Sequence, residues 1–255
     1  MISVLTQSVQ GVNTTLSSTP DLDFFIEGYK KLELFGQTVY ITTTHVCLSI
    51  VLVILVVFAL VANRVIRKAD PHKPPKGFLN VIELLVESVD NMLVSSMGEK
   101  HGPRFANYVG SLFALLLLCN LSGLLGLRPP TADFGVTFPL ALITWFLIQY
   151  NGIRYQKWGK LKSLFEPIFV FFPVNVISEI STPISMSLRL FGNMFSGTLM
   201  MALIYGLLKV GSVSLAIVWP AALHAYLDVF AGLIQAYVFV MLTMLFIYNQ
   251  IGEEA

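Results

Sequence analysis

In a chain of 255 residues of which only 12% are charged and 55% are apolar, the charged side chains that stand inside apolar runs carry the chemistry. Arg189 lies in SMSLRLFGNMFSG, with nine uncharged residues before it and a long uncharged run after it. A guanidinium at bilayer depth costs at least ~2.5 kcal/mol on insertion scales, and it cannot escape by losing its proton. It therefore cannot carry a proton, but it can hold a carboxylate ionised or repel a cation. Glu179 and Asp228 are the acids within reach, and a permanent salt bridge to one of them is the simplest structural reading. Spacing argues against Glu179, since ten residues place it about 80° around a helix and roughly 15 Å along it.

His224, Asp228 and Gln235 follow at i, i+4 and i+11 and share one face of the last apolar segment, opposite Ile, Val, Phe and Leu. Such a stripe lines a wet path or meets a charged neighbour. His224 taken alone reads as an interfacial or packed histidine. Asn193 and Ser196 lie one and nearly two turns beyond Arg189 on its face, and Gly192, Ser196 and Gly197 form a small-residue surface that admits a close helix. An intramembrane hydrolase built on Ser196 and His224 is the enzymatic alternative, but a serine followed by one downstream histidine is a weak signal. No Walker A, HExxH, CxxC or GxGxxG pattern is present, so the sequence offers no nucleotide or metal motif.

These residues need elements to hold them. Mean hydropathy of +0.74 is too high for one soluble globule, and the net charge of +1 argues against nucleic acid as a partner. Uncharged stretches at 34–63 (centred on 46–62), 105–127 and 134–153 give three crossings, with LRPPTAD (127–133) as an interfacial turn. Two further crossings fall at about 168–208 and 212–250. The first of these is too long for a perpendicular helix and must tilt, kink or fold back, with Pro173 and Pro183 as the expected bends and Gly206 with Gly211 as the turn. Residues 77–97 instead form an amphipathic helix on the membrane surface: Phe78, Val81, Ile82, Leu85, Val89, Met92 and Leu93 oppose Glu83, Glu87 and Asp90. An acidic polar face suits a protein partner better than lipid alone.

Eleven of the sixteen Lys and Arg residues fall in the loops after the first span, before the second and after the third. Those loops are expected in the cytoplasm, with the N-terminus outside and the C-terminus inside. The N-terminus shows no secretory signal pattern, and Cys47 and Cys119 sit in apolar runs as small hydrophobes. The expected fold is an all-α polytopic membrane protein with five crossings and one surface helix. Residues 1–33 form an extracytoplasmic segment, 34–255 one membrane domain, and 167–251 an ion-handling helical hairpin.

SLRLFGNMFSG around Arg189, LIQAYVFVMLTMLF around Gln235 and PTADFGVTFPLAL after the second span together resemble subunit a of the F-type ATP synthase. The resemblance covers most of residues 35–250. It implies a stator subunit with long tilted C-terminal helices facing a rotating c ring, where two half-channels for H+ or Na+ are separated by Arg189. Asn193 and Gln235 match the family's polar partners, and Glu179 is similar to acids near the inner half-channel. It also implies b-type peripheral stalk subunits and the rest of the synthase as partners, membrane lipid around it, no cofactor, no catalytic role in the nucleotide chemistry, and a bacterial inner membrane location. Many bacterial members carry Glu at the position of Thr198 and His at that of Asp228, and mitochondrial members carry His and Glu. Here Thr198 cannot titrate and the acid remains only on the last helix. A non-transporting assembly scaffold with a structural arginine is the competing reading.

Overall fold

The computed structural model describes residues 28–34, 37–69, 77–125, 127–156, 159–160, 169–208 and 222–251. Most of residues 1–33, the basic residues Lys73, Lys76, Lys157, Lys162 and Lys209, Gly211 and the C-terminal Gly252, Glu253 and Glu254 lie outside them. Five helices among the described residues are long and apolar enough to cross a membrane, as expected for an all-α polytopic membrane protein. They are α1 (Thr43–Ile66), α2 (Phe78–Leu121), α3 (Phe134–Gln156), α4 (Phe172–Leu208) and α5 (Ala222–Ile251).

Before α1 stands a feature absent from the sequence reading. Strands β1 (Gly28–Leu34) and β2 (Gln37–Thr42) pair antiparallel, with Leu34 opposite Gln37 and Gly28 opposite Thr42. Lack of charge between 34 and 43 pointed to an approach to the first crossing, but QTVYIT is rich in the β-branched and aromatic residues that favour a pleated strand. Helix α1 consequently begins only at Thr43. It buries a narrow stripe of Thr44, Cys47, Val51 and Ala62 and leaves Val53, Val56 and Leu60 bare, as suits a helix whose other faces meet lipid.

Helix α2 unites the expected surface helix and the second crossing. The two segments meet at Gly98, whose φ of +77° and ψ of 167° break the helix. In a straight helix residues nine apart are about 13 Å apart. Here a Cβ on Gly102 would lie 3.2 Å from the backbone of Leu93, and one on Gly110 3.6 Å from a methyl of Val89. The amphipathic segment is thus folded back along the crossing segment as a helical hairpin. Leu93 and Met97 enter the core, Val89 and Met92 pack against it, and Glu83, Glu87 and Asp90 stay exposed. Of the apolar face expected to be covered, Phe78, Val81 and Leu85 remain exposed.

The core is a bundle of α2, α3, α4 and α5. Phe105, Val109, Leu112 and Leu116 of α2 meet Ala236, Phe239, Val240, Met244 and Ile247 of α5, with Ala141 and Ile148 of α3 and Met186 and Leu190 of α4 closing it. Helix α4 packs chiefly on α3 and α5 on α2 and α3, whereas α4 and α5 touch one another sparingly. Helix α4 continues through Pro183 as one helix of 37 residues, and Pro173 sits in its first turn, where a missing N–H costs nothing. Neither proline ends the segment. At roughly 55 Å the helix exceeds a 30 Å hydrocarbon layer, so it must tilt or bend at Pro183 to fit.

Positive φ at Gly98 and backbone contact at Gly102 make the hairpin depend on two glycines. Gly98→Ala should lower the unfolding free energy by about 1–3 kcal/mol, Gly102→Val by as much or more, and Gly110→Ala, which meets only ordinary contact, by little. Thermal unfolding in detergent gives this order directly.

Candidate functional site

Among the described residues, two clusters of polar side chains join three or more elements of the bundle. The first joins α3, α4, the end of α5 and the connection after α3. Glu179 Oε1 accepts from Gln149 Nε2 at 2.7 Å and from Lys160 Nζ at 2.5 Å, and Lys160 Nζ also donates to Gln250 Oε1 at 2.6 Å. Trp145 Nε1 donates to the Glu179 carbonyl at 3.1 Å, which fixes α4 against α3 at that level. Gly152 makes room, because a Cβ there would lie 2.9 Å from Gln250 Oε1. The Lys160 side chain is 9% exposed and that of Glu179 23%, so this ion pair is largely withdrawn from water.

The second cluster lies at the other end of α5, about 22 residues or roughly 33 Å from Gln250. There the helix opens into a π-helical stretch, Ala225–Ala231. His224 Nδ1 is 2.5 Å from Asp228 Oδ2, and Tyr205 of α4 places its hydroxyl 2.9 Å from His224 Nε2. Asp228 is buried. A Cβ on Gly123, in the 3-10 turn Ser122–Leu125 that ends α2, would lie 3.1–3.2 Å from all three carboxyl atoms. One turn on, the fully buried Asn120 donates to the Gly232 carbonyl and accepts from Thr131 Oγ1, both at 2.8 Å. A single amide thereby ties α2, the interfacial turn and α5 where π-helix returns to α-helix.

Arg189 belongs to neither cluster. It lies on α4 about 15 Å beyond Glu179 and roughly 24 Å before Tyr205. Its side chain is exposed and makes no hydrogen bond or ion pair among the described residues. The salt bridge to Glu179 or Asp228 is therefore absent: Lys160 takes one acid and His224 the other. The close helix expected over Gly192 and Gly197 is also absent among the described residues, since a Cβ at either position would meet nothing within 4 Å.

Other expected site residues are placed as follows. Ser196 Oγ bonds back to the Asn193 carbonyl and Thr198 Oγ1 to that of Phe195, the local pattern of helical hydroxyls. Ser196 and His224 are thus not joined, and the hydrolase reading loses its dyad. His224 is far from a mere packing residue, being the link between Tyr205 and Asp228. Gln235 is buried, and its Nε2 has no hydrogen-bond partner among the described residues. Lys160, Gln149, Gln250, Asn120, Tyr205 and Gly123 escaped the sequence reading, because their partners lie on other elements at separations that no helical periodicity encodes.

With that geometry in place, similarity to known proteins decides the family. The sequence profile described as "ATP synthase A chain" matches residues 45–248. The chain belongs to the ATP synthase subunit a family. A relative named ATP synthase subunit a from Mycoplasmoides gallisepticum is 31% identical, over 91% of this chain and 88% of its own. One from Desulforamulus reducens is 31% identical over 82% and 78%. A third, from Propionigenium modestum and named as sodium ion specific, is 36% identical over 59% of this chain but only 55% of its own length. Subunit a is an integral, multi-pass component of the membrane (Fo) stator of the F-type ATP synthase, and the five helices here accord with that.

The Lys160–Glu179 pair gives a direct test of the first cluster. Lys160→Met should strand a partly buried carboxylate and destabilise the subunit by about 1–3 kcal/mol, below the value for a fully dry pair because Glu179 keeps some water. Lys160→Met with Glu179→Gln should recover most of that loss. A double-mutant cycle on thermal stability returning simple additivity would show that the pair is not coupled.

Proposed function

We propose that this subunit moves H+ or Na+ between the two sides of the membrane by two separate paths that load and unload carboxylates on a rotating c ring. The observation that carries the reading is Arg189: a permanent cation on an uncovered helix face, without a partner among the described residues, between two polar clusters near opposite ends of the bundle. A charge at that depth requires compensation, and a ring carboxylate is the compensating group that also performs work. The open surface over Gly192 and Gly197 gives the ring's helices room to approach.

The physical sequence follows from charge. An ion arriving past Asp228 neutralises a ring carboxylate, which can then enter lipid cheaply. On completing its circuit, the carboxylate gives up the ion to the path beside Glu179 and meets Arg189 ionised. Arg189 lowers the energy of that bare carboxylate and repels any cation that would pass straight between the paths. Each elementary charge moved through 100 mV releases about 2.3 kcal/mol, the quantity available as torque. Asn193 and Gln235 would orient groups around the contact, and the exposed acidic face of α2 suits basic residues of a b-type peripheral stalk. The excess of Lys and Arg in the loops after the first and third crossings supports an outer N-terminus and a cytoplasmic C-terminus, and the bacterial relatives support a bacterial inner membrane.

Arg189→Ala should assemble into the synthase yet lose ion-driven ATP synthesis by about 100-fold or more, as expected when ~3 kcal/mol of charge compensation is removed. Arg189→Lys should do little better, lacking the planar fork. Coupled synthesis retained in the alanine variant would leave the scaffold reading standing. For topology, in a background with Cys47 and Cys119 replaced, cysteines at Lys68 and Arg154 should react with an impermeant thiol reagent from the cytoplasm and one at Leu125 from outside. Labelling of Arg154 and Leu125 from one side rejects the arrangement.

A further inference from the structure

The second cluster contains more than one acid at the mouth of a path. Its three groups form an unbroken series of hydrogen bonds: Tyr205 hydroxyl to His224 Nε2 at 2.9 Å, and His224 Nδ1 to Asp228 Oδ2 at 2.5 Å. A carboxylate only accepts, so the proton of a neutral His224 belongs on Nδ1, and Nε2 is then free to accept from Tyr205. The series is graded in burial within the chain. Tyr205 is 42% exposed, the His224 side chain 33% and that of Asp228 12%. We infer that Tyr205, His224 and Asp228 are a proton relay, and that they make the outer path of this subunit specific for H+ over Na+. The inference rests on the two-path reading given above and assigns the ion and the residues that read it.

Each transfer balances. A proton from outer water binds the Tyr205 oxygen as the Tyr205 proton passes to His224 Nε2. The Nδ1 proton of the resulting imidazolium passes to Asp228 Oδ2, leaving a neutral acid and an imidazole protonated on Nε2. Asp228 releases one proton inward and is again a carboxylate. His224 resets by giving its Nε2 proton to water of the outer path and taking one from it on Nδ1. One proton enters, one leaves, and no other reactant is needed.

Sodium fares badly at the same place. Hard cations are held by shells of oxygen ligands. Asp228 has one oxygen engaged by an imidazole nitrogen, and its carboxyl lies so close to Gly123 that a Cβ there would make contacts of 3.1–3.2 Å and force it to shift by a few tenths of an ångström. Among the described residues, Tyr205 from α4, Gly123 from the 3-10 turn and Asn120 from α2 meet this stretch, and of these three Tyr205 alone has an ionisable side chain. Thr198, which cannot titrate, bonds its own helix, so His224 supplies the second titratable group of the path. The π-helical turn makes this possible by stacking i and i+4 side chains more nearly above one another than α-helix does.

The test uses the whole synthase in liposomes, with ATP synthesis driven by a potassium diffusion potential in sodium-free buffer. Wild-type complex is expected to synthesise ATP at a rate that added Na+ does not change. His224→Ala should fall about tenfold or more and recover in part with imidazole on both sides, while Tyr205→Phe should fall several-fold. A sodium requirement, an undiminished His224→Ala rate, or a loss that imidazole leaves untouched overturns the relay. Should His224→Ala fail to assemble, Tyr205→Phe, which deletes one oxygen from an exposed side chain, decides: an unchanged rate overturns the inference. Inactive Asp228→Asn beside fully active His224→Ala removes the relay but keeps the two-path reading. Full activity of both Asp228→Asn and Arg189→Ala removes the two-path reading itself.

Discussion

A guanidinium that cannot lose its proton and has no anion within its own described chain is the constraint from which the arrangement follows. Low dielectric makes an unpaired charge costly and a paired one nearly silent. Both acids that might have silenced Arg189 are occupied, Glu179 by Lys160 and Asp228 by His224. The chain thus spends a lysine and a histidine on keeping two carboxylates away from its arginine. That division is what leaves a cation available to a partner.

Holding the division requires rigid members. Helix α4 must carry Glu179, Arg189 and Tyr205 on one uninterrupted rod, and its burial of Met186, Leu190, Met194 and Met201 is what keeps the rod in place although it touches α5 only sparingly. Long, flexible methionine side chains suit a face that contacts α3 along a crossing seam. Helix α5, in turn, is fastened by side-chain hydrogen bonds just past its π-helical stretch, through Asn120 at Gly232, and near its C-terminal end, through Lys160 at Gln250.

How much of this could be read in advance divides along one physical line. The five crossings were legible because charge is excluded from lipid-facing runs, and an uncharged run leaves a mark that one sequence can show. Arg189 was legible for the complementary reason. The contacts that hold the two clusters were not, since Lys160 reaches Glu179 across a loop and Asn120 reaches Thr131 and Gly232 across two elements. The His224–Asp228 pair stood in plain sight at i, i+4, but a lone histidine near an interface usually packs, and only Tyr205 on α4 distinguishes the two cases. Hairpin β1–β2 was hidden because absence of charge marks strands as well as spans. The reversal at Gly98 was hidden because a glycine's φ leaves no trace in composition.

The π-helical stretch in α5 has a consequence for how this subunit tolerates change. Such a turn holds one residue more than an α-helical turn covering the same rise, so removing one residue between Asp228 and Gly232 would let the stretch relax to ordinary pitch while His224 and Asp228 keep nearly the same facing relative to Gln235. The same deletion in the α-helical stretch that follows, where no wide turn absorbs it, would rotate everything upstream by roughly 100°. Every polar residue would survive and point elsewhere. Where along α5 the chain changes length therefore matters more than whether it does.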